Sequence, residues 1–224
     1  MHRSEPVVEV LVPVKSLAAS KLRLAGFLTP AERAKFSLLM LGDVLANLSA
    51  TATVDRVTVV SDDPDVLEFA ARRHAQQFSD TQGNANDPLN EALTLAAAQL
   101  DDASAVMVVP ADVPLVSPAD YAAALSDWVE GVAVVPAHDG GTNAMINLVA
   151  EAIPFRFGPQ SLEQHCVGAR ARGLPFQLIE NPVWARDIDS PSDIAWLAEH
   201  AGRCASADFA GQLLRAKDTL KRTA

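Results

Sequence analysis

The sequence predicts an α/β fold in which a mixed, mostly parallel sheet is flanked by helices. Valine-rich apolar runs recur at residues 7–14, 56–60, 105–109 and 132–135. Short uninterrupted apolar runs are typical of strands buried on both faces of a parallel sheet. Helical patterns lie between these runs, so strand and helix alternate along the chain. Such alternation is typical of doubly wound folds, whose binding sites lie at the carboxyl ends of the strands.

Five of the predicted helices begin with the same signal. In each, a side chain that can cap the helix comes directly before a proline, whose missing N–H costs nothing at the first helical position. The five pairs are Thr29-Pro30, Asp63-Pro64, Asp87-Pro88, Ser117-Pro118 and Ser190-Pro191. Thr29 and Glu32 also fit the capping box, which predicts a long helix over residues 30–48. Residues 143–149 follow a Gly-Gly turn, and we expect them to form an antiparallel strand beside the main sheet.

Length and composition favour one core domain. A chain of 224 residues with 49% hydrophobic residues can bury one full α/β core. We expect a single domain over residues 1–200 and a helical C-terminal extension over residues 201–224. Apolar side chains at near-helical spacing predict an amphipathic helix in this extension: Phe209, Leu213, Leu214 and Leu220. The sequence leaves open whether this helix packs on its own domain or on the second subunit of a homodimer.

Charge and composition exclude several classes of partner. The 18 Lys and Arg against 28 Asp and Glu give a net charge of -10, which would repel a nucleic-acid backbone. No apolar run approaches the ~20 residues of a membrane span, and residues 1–8 lack the apolar core of a signal peptide. We therefore expect a cytoplasmic protein. Cys166 and Cys204 are too few to predict a disulfide framework or a zinc site.

The segment after the first predicted strand is basic. The sequence contains neither G-x-x-x-x-G-K-[ST] nor a G-x-G-x-x-G after that strand, which argues against a P-loop and against a classical dinucleotide fold. Lys15, Lys21 and Arg23 follow the strand instead. Three cations at the carboxyl end of a buried strand can neutralise a triphosphate and a leaving pyrophosphate, so we predict a catalytic role for them. The alternative is an ordinary solvated loop.

Two acidic turns are candidate metal ligands. Asp112 directly follows the apolar run at residues 105–109, and Asp187 and Asp189 come just before a capped helix. Carboxylates at the ends of parallel strands can hold the magnesium ions that assist phosphoryl displacement. The alternatives are that Asp112 closes a turn and that Asp189 assists the following helix cap.

Two further segments predict an anion site. Thr142 and Asn143 follow two glycines, which let a backbone approach a ligand closely, although a hairpin turn explains the same pattern. Gly158 and Ser161 lie at another predicted helix start, where backbone N–H groups bind anions or a side chain simply caps the helix. His165 follows within that helix and either meets a substrate carboxylate or lies on the surface.

In this order, the segments resemble a known family of enzymes. The matching pieces are Val12-Pro13-Val14-Lys15 with Ser20-Lys21-Leu22-Arg23-Leu24, Asp112-Val113-Pro114, Gly140-Gly141-Thr142-Asn143-Ala144, Phe157-Gly158-Pro159-Gln160-Ser161 with His165, and Asp187-Ile188-Asp189-Ser190-Pro191. Together they resemble the guanylyltransferases of coenzyme F-420 biosynthesis, which act on 2-phospho-L-lactate or phosphoenolpyruvate. The resemblance spans residues 7 to about 200.

The resemblance implies a GT-A-like, Rossmann-related nucleotidyltransferase fold. It implies that GTP is the nucleotide donor and that magnesium lies between Asp112 and Asp187. It further implies that Thr142, Gly158 and Ser161 contact the phosphorylated acid, while the three basic side chains face the triphosphate. The chain departs from the family in having Ala111 where glycine is usual and in its long tail, whose role the resemblance leaves unassigned.

The expected reaction joins the GMP of GTP to a small phosphorylated acid and releases pyrophosphate. Phospholactate, phosphoenolpyruvate and 3-phosphoglycerate all remain candidate acceptors. One alternative is another nucleotidyltransferase of the same fold, such as a molybdopterin guanylyltransferase or a cytidylyltransferase. These usually carry a glycine-rich first loop that residues 15–24 do not match. The other alternative is a non-catalytic α/β binding module whose acidic turns only cap helices.

Overall fold

A computed structural model describes residues 6–79, 87–101 and 104–223. Parts of the predicted domain and extension, namely residues 1–5, 80–86, 102–103 and 224, lie outside this range. The strands are β1 (Val8–Pro13), β2 (Arg56–Ser61), β3 (Gln76–Ser79), β4 (Ala105–Val108), β5 (Val132–Pro136), β6 (Thr142–Leu148) and β7 (Phe176–Leu178). The helices are α1 (Pro30–Ser49), α2 (Pro64–Ala71), α3 (Pro88–Ala97), α4 (Pro118–Asp127), α5 (Ser161–Ala171), α6 (Pro191–Ala198) and α7 (Ala205–Thr223).

The strands form one sheet in the order β3-β2-β1-β4-β6-β5-β7. The pairs β1 with β2, β1 with β4, β2 with β3, and β5 with β7 are parallel, while β6 is antiparallel to both β4 and β5. The predicted mixed, mostly parallel sheet is therefore confirmed. The expected antiparallel strand exists, but it lies inside the sheet rather than beside it, because β6 hydrogen-bonds to β4 and β5 at once.

All five predicted Pro-initiated helices begin at the expected residues. Thr29, Ser117 and Ser190 each form a capping box, and Asp63 accepts the N–H of Asp65. Asp87 differs, because its carboxylate accepts from the side-chain amide of Asn90 rather than from the helix backbone. The proline therefore sets the start of α3 without a capping hydrogen bond.

The sheet is covered by helices on both faces, as a doubly wound fold requires. One face packs against α1, α2 and α4, including the buried side chains of Leu45, Val66 and Tyr121. The other packs against α3 and α5, including Leu93 and Ala169. Among the described residues, no helix combines the length and the apolar composition that a membrane crossing demands.

The C-terminal helix packs on its own chain. The Asp43 carboxylate of α1 accepts the N–H groups of Ala205 and Ser206, at 3.1 and 2.8 Å, and so caps α7. The rings of Phe36 and Phe209 lie 6.1 Å apart within a third apolar cluster that joins α1, α6 and α7. Of the two alternatives for this helix, packing on its own domain is the one that the structure shows.

Candidate active site

The loop after β1 holds its basic side chains through contacts with two helices. The Asp63 carboxylate at the start of α2 accepts the N–H of Leu17 at 2.8 Å. The buried guanidinium of Arg33 in α1 donates to the carbonyl of Ser20 at 3.3 Å. Lys21 follows in the left-handed conformation, with φ of 49°. That conformation is uncommon outside glycine, and it turns Lys21 toward the acidic residues.

Lys21 forms an ion pair with each of two aspartates from distant segments. Its Nζ lies 2.6 Å from Asp112 Oδ2 and 2.7 Å from Asp189 Oδ1. Arg23 Nη1 lies 3.1 Å from the other Asp189 oxygen. The Lys21 side chain is only 9% exposed, whereas that of Arg23 is 76% exposed. Lys15 is exposed at the end of β1, so Arg23 and Lys15 are the cations open to a ligand.

The two acidic turns meet through the backbone. Ile188 N–H donates to the Asp112 carbonyl at 3.1 Å, which brings carboxylate oxygens of Asp112, Asp187 and Asp189 within 4.8 Å of one another. Oδ1 of Asp112 and Oδ1 of Asp187 are buried and accept no hydrogen bond. Two buried carboxylate oxygens without a hydrogen bond, in a cluster of three carboxylates, fit a hard divalent cation, which takes oxygen ligands.

The surroundings favour the charged forms of Lys21 and Asp189 but disfavour the charged form of Asp187. Burial would lower the pKa of Lys21, but the carboxylates of Asp112 and Asp189 outweigh burial and raise that pKa. Burial likewise opposes ionisation of Asp189, yet Lys21 lowers the pKa of Asp189 below its ordinary value. Burial raises the pKa of Asp187, and the nearby Asp112 charge adds to the effect. A bound cation would therefore stabilise Asp187 most, because burial and the Asp112 charge together disfavour its ionised form.

A second polar cluster joins the start of β6 to the start of α5. Thr142 Oγ1 lies 3.1 Å from Ser161 Oγ and 3.1 Å from His165 Nδ1. The other ring nitrogen, Nε2, accepts the backbone N–H of Arg156 at 3.1 Å. His165 is fully buried, and burial lowers its pKa to about 4.

The segment before α5 leaves room for an anion. Gly158 has φ of 136°, and a Cβ placed there would meet nothing within 4 Å. Gln160 at the cap position is left-handed, with φ of 57°, and its side chain makes no capping hydrogen bond. The N–H groups of the first turn of α5 are thus left without a side-chain partner, and such groups attract anions.

The β5–β6 hairpin places the two clusters next to each other. At one side of its turn, His138 Nδ1 lies 3.7 Å from Asp187 Oδ1. At the other side, a Cβ on Gly141 would lie 3.8 Å from Ser161 Oγ. The carboxylates and the hydroxyl cluster therefore flank a single turn, so two ligands bound there would be neighbours.

A family model described as guanylyl transferase CofC like matches residues 8–219. The chain belongs to this family. The match includes most of α7, so the long C-terminal helix is part of the CofC-like architecture. The predicted family resemblance is thereby confirmed.

Full-length relatives agree with this assignment. The phosphoenolpyruvate guanylyltransferase of Roseiflexus castenholzii is 41% identical over 207 residues, covering 92% of this chain and 95% of the relative. The 2-phospho-L-lactate guanylyltransferase of Methanothermobacter thermautotrophicus is 32% identical over 192 residues, covering 85% and 83%. These two relatives of the CofC-like chain are thus named for two different acids, phosphoenolpyruvate and 2-phospho-L-lactate.

A solved structure confirms the predicted nucleotidyltransferase fold. A nucleotidyl transferase from Methanothermobacter thermautotrophicus superposes with a TM-score of 0.62 at 15% identity, covering 87% of this chain and 97% of that one. At that identity the likeness concerns the fold alone.

The geometry removes two of the simpler alternatives. His165 is not a surface histidine, since it is fully buried with both ring nitrogens bonded. Asp189 does not cap α6, because Ser190 and Asp193 form that capping box while both Asp189 oxygens bond to Lys21 and Arg23. The hairpin alternative for the Gly-Gly turn is confirmed and coexists with the polar cluster.

Asn143 lies beside the cluster but points into the core. Its Nδ2 donates to the carbonyl of Trp184 at 2.9 Å, and the Trp184 indole donates back to the Asn143 carbonyl at 3.0 Å. This reciprocal pair ties β6 to the segment that leads into Asp187. Asn143 therefore supports both clusters through the backbone.

Sequence reasoning missed two polar residues that position the site. Asn90 in α3 accepts the N–H of Phe157 at 2.8 Å and donates to its carbonyl at 3.0 Å, which clamps the segment before Gly158. Arg33 fixes the basic loop. Each is a polar residue on the buried face of an amphipathic helix, and that mismatch is the signal that could have found them.

Proposed function

We propose that this protein transfers the GMP moiety of GTP to a small phosphorylated acid and releases pyrophosphate, as the resemblance to enzymes of coenzyme F-420 biosynthesis implies. The observation that carries the proposal is the adjacency of two unlike clusters. One holds three carboxylates with basic side chains, and the other offers hydroxyls and an uncapped helix start. A metal-bound triphosphate suits the first cluster and an acid's oxyanion suits the second.

The reaction requires the protein to position the acid and GTP, and it requires no nucleophile from the protein. A phosphate oxygen of the acid forms a bond to the α-phosphorus, the bond from that phosphorus to the bridging oxygen breaks, and the electron pair leaves on pyrophosphate. The attacking phosphate is already anionic near pH 7, so no general base is required. We assign to Lys15, Lys21 and Arg23 the role of offsetting the negative charge on the leaving pyrophosphate.

Magnesium is the cation we assign to the acidic cluster. The unpartnered oxygens of Asp112 and Asp187 are its proposed ligands, while the Asp189 oxygens hold Lys21 and Arg23 in this state. When bound, magnesium would spread the negative charge that develops on the phosphates. The Lys21 ammonium occupies a neighbouring position, between Asp112 and Asp189.

Phosphoenolpyruvate is the acceptor that we propose first. Four relatives at 39 to 41% identity and two at 34% and 33% carry that name, whereas two relatives named for 2-phospho-L-lactate are 32% and 30% identical. The acid would meet Thr142 and the open space over Gly158, with the Ser161 hydroxyl bonded to Thr142 beside it. Thr142 and Ser161 supply the two hydroxyls that we assign to the acceptor site, and Gly158 leaves space beside them.

The deciding experiment incubates the purified protein with GTP, magnesium and each of phosphoenolpyruvate, 2-phospho-L-lactate and 3-phosphoglycerate. We expect pyrophosphate release and a product with the mass of a diphosphate-linked guanosine acid. Release should be fastest with phosphoenolpyruvate and should stop when magnesium is chelated. GTP turnover that yields no such adduct with any acid would contradict the proposed reaction.

A further inference from the structure

The cluster around Thr142 contains a buried histidine for which the reaction has no direct use. His165 is 0% exposed, Ser161 is 1% exposed and Thr142 is 8% exposed. Thr142 is therefore the most accessible of the three. Both ring nitrogens of His165 already bond to the protein, one to Thr142 and one to the backbone of Arg156.

The backbone determines which ring nitrogen carries the proton. A backbone N–H can only donate, so the 3.1 Å contact from Arg156 N requires an unprotonated Nε2. Burial lowers the pKa of His165 to about 4, which keeps the ring neutral near pH 7. A neutral imidazole carries one proton, so it must reside on Nδ1. Nδ1–H then donates to Thr142 Oγ1.

The contact between the two hydroxyls also runs toward Thr142. Thr142 Oγ1 accepts from His165 Nδ1–H and also from Ser161 Oγ–H, each at 3.1 Å. A hydroxyl has two lone pairs and one hydrogen, so its accepting capacity is filled. The Thr142 hydroxyl therefore has only its hydrogen left for another hydrogen bond, and in that bond it is the donor.

We infer that His165 is a positioning residue that makes the Thr142 hydroxyl a dedicated hydrogen-bond donor to an oxyanion of the acceptor. This inference rests on the proposed function, because it assumes that the acid binds at Thr142. A carboxylate or ionised phosphate oxygen only accepts and suits such a donor. A ligand that must donate at this point, such as an amide N–H, finds no free lone pair on Thr142.

His165 also fixes the segment that frames the same ligand. Its Nε2 holds the N–H of Arg156, and Asn90 holds both polar groups of the adjacent Phe157 backbone. Gly158 follows directly. The His165 side chain therefore contacts both the segment that leads to Gly158 and the Thr142 hydroxyl.

The first test reads the tautomer in the free protein, without substrate. Long-range ¹H–¹⁵N spectra at pH 7 distinguish protonated from unprotonated ring nitrogens, and the His165 signals are those missing in His165→Asn. We expect a proton on Nδ1 and an unprotonated Nε2. An Nε2–H tautomer, an even mixture or an imidazolium at pH 7 would overturn the inference.

Two variants of His165 distinguish a role in orienting the Thr142 hydroxyl from a role in packing alone. In His165→Asn the amide nitrogen stands as many bonds from the backbone as Nδ1 and can still donate to Thr142. In His165→Gln the amide oxygen matches Nε2, so it can hold Arg156 N–H but cannot reach Thr142. We expect the KM for the acid to rise about threefold in the Asn variant, which loses the bond to Arg156 N–H, and about tenfold in the Gln variant, which loses the bond to Thr142. The KM for GTP should not change in either.

The outcomes of the two tests are separable. Equal changes in the acid KM of both variants, or parallel changes in the KM for GTP, would indicate a packing role and overturn the inference. Thermal melting of each variant shows whether it is folded. If a variant does not fold, the tautomer measurement on the unmodified protein tests the inference by itself. The expected tautomer in a protein that forms no product with any acid would refute the proposed function while establishing the hydrogen-bond directions.

Discussion

Lys21 Nζ lies 2.6 Å from Asp112 Oδ2, which joins the loop after β1 to the end of β4 at the centre of the site. The same nitrogen reaches Asp189, so one ammonium holds three chain segments together. Removing this cation leaves two partly buried carboxylates facing each other, an arrangement that is costly in a protein interior.

Lys21→Met should lower turnover by about a hundredfold or more, since a group that offsets charge in a transition state contributes roughly 2.7–4 kcal/mol. It should also lower the melting temperature, and magnesium should restore part of that loss by supplying positive charge. Arg23→Met is the matched comparison, with a much smaller effect on stability because its side chain is 76% exposed. Equal stability of the two variants without magnesium would contradict this role for Lys21.

Asp112→Asn and Asp187→Asn should each abolish most turnover while the protein remains folded, because an amide cannot supply the charge that a hard cation requires. Glu130→Gln, an exposed carboxylate outside the site, is the matched control and should retain full activity. Turnover is measured as pyrophosphate release across a magnesium titration. If either Asn variant kept a near-normal kcat at saturating magnesium, that aspartate would not be a metal ligand.

Thr142→Val should lower kcat/KM for the acid by roughly ten- to a hundredfold, since a hydrogen bond to a charged group contributes about 1.5–3 kcal/mol. Ser161→Ala should lower it less, because the Ser161 hydroxyl donates to Thr142 Oγ1 rather than to the ligand. The affinity for GTP, measured by calorimetry with magnesium and without acid, should barely change. Thr53→Val, at an exposed position before β2, is the control. A GTP affinity that falls as far as the specificity constant would move these hydroxyls out of the acceptor site.

The stability of the protein should depend on pH through His165. Its pKa is about 4 in the folded state and 6.5 in the unfolded chain. Between those values the unfolded state binds a proton that the folded state does not, so stability is present above pH 6.5 and is lost as pH falls toward 4. From pH 7 to pH 5 the loss should be about 2 kcal/mol. Urea unfolding at both pH values checks this figure.

His165→Asn is the control for this pH dependence, because an amide does not titrate. The free energy of unfolding of the variant should change less between pH 7 and pH 5, by the same ~2 kcal/mol. Identical pH dependence in the variant and in the original chain would show that other groups are responsible.

GTP should be the preferred donor. With the best acid, kcat/KM for GTP should exceed that for CTP or ATP by about tenfold or more, as expected when a site hydrogen-bonds one base and not another. Competition between the three nucleotides in one reaction, resolved by product mass, measures the preference. Comparable specificity constants would refute it.

The sequence predicted the strands and helix starts well because their signals are local. Proline after a capping side chain and apolar runs between turns do not depend on distant residues, and α1, β1 and β4 follow them closely. Strands β3 and β7 were missed since Gln76–Ser79 and Phe176–Leu178 are short, half-exposed edge strands. Their pairing depends on a neighbouring strand rather than on their own hydrophobicity.

The candidate site was predictable as a set of residues but not as a geometry. The sequence alone nominates Asp112, Lys21 and Asp189, yet it cannot show that Lys21 bridges the two carboxylates. Nor can it show that Asn90 clamps Phe157 across 67 residues of chain. Such contacts follow from tertiary packing, which periodicity and motif spacing do not encode.

The reversed direction of β6 has a consequence for how such enzymes diverge. Because β6 runs antiparallel between β4 and β5, its first residue, Thr142, lies at the same sheet edge as the last residues of its neighbours. In the function that we propose, the groups that bind the nucleotide and those that bind the acid come from separate stretches. The former lie on loops that end parallel strands, and the latter lie on one hairpin and the helix that it meets. On this assignment, a new acceptor could be recruited by altering residues 137–165 while Asp112, Asp187 and the basic loop keep their sequence, provided that His138 beside Asp187 and Asn143 beside Trp184 are retained. Exchanging that single stretch between a phosphoenolpyruvate enzyme and a 2-phospho-L-lactate enzyme would transplant the acid preference while the nucleotide chemistry stays in place.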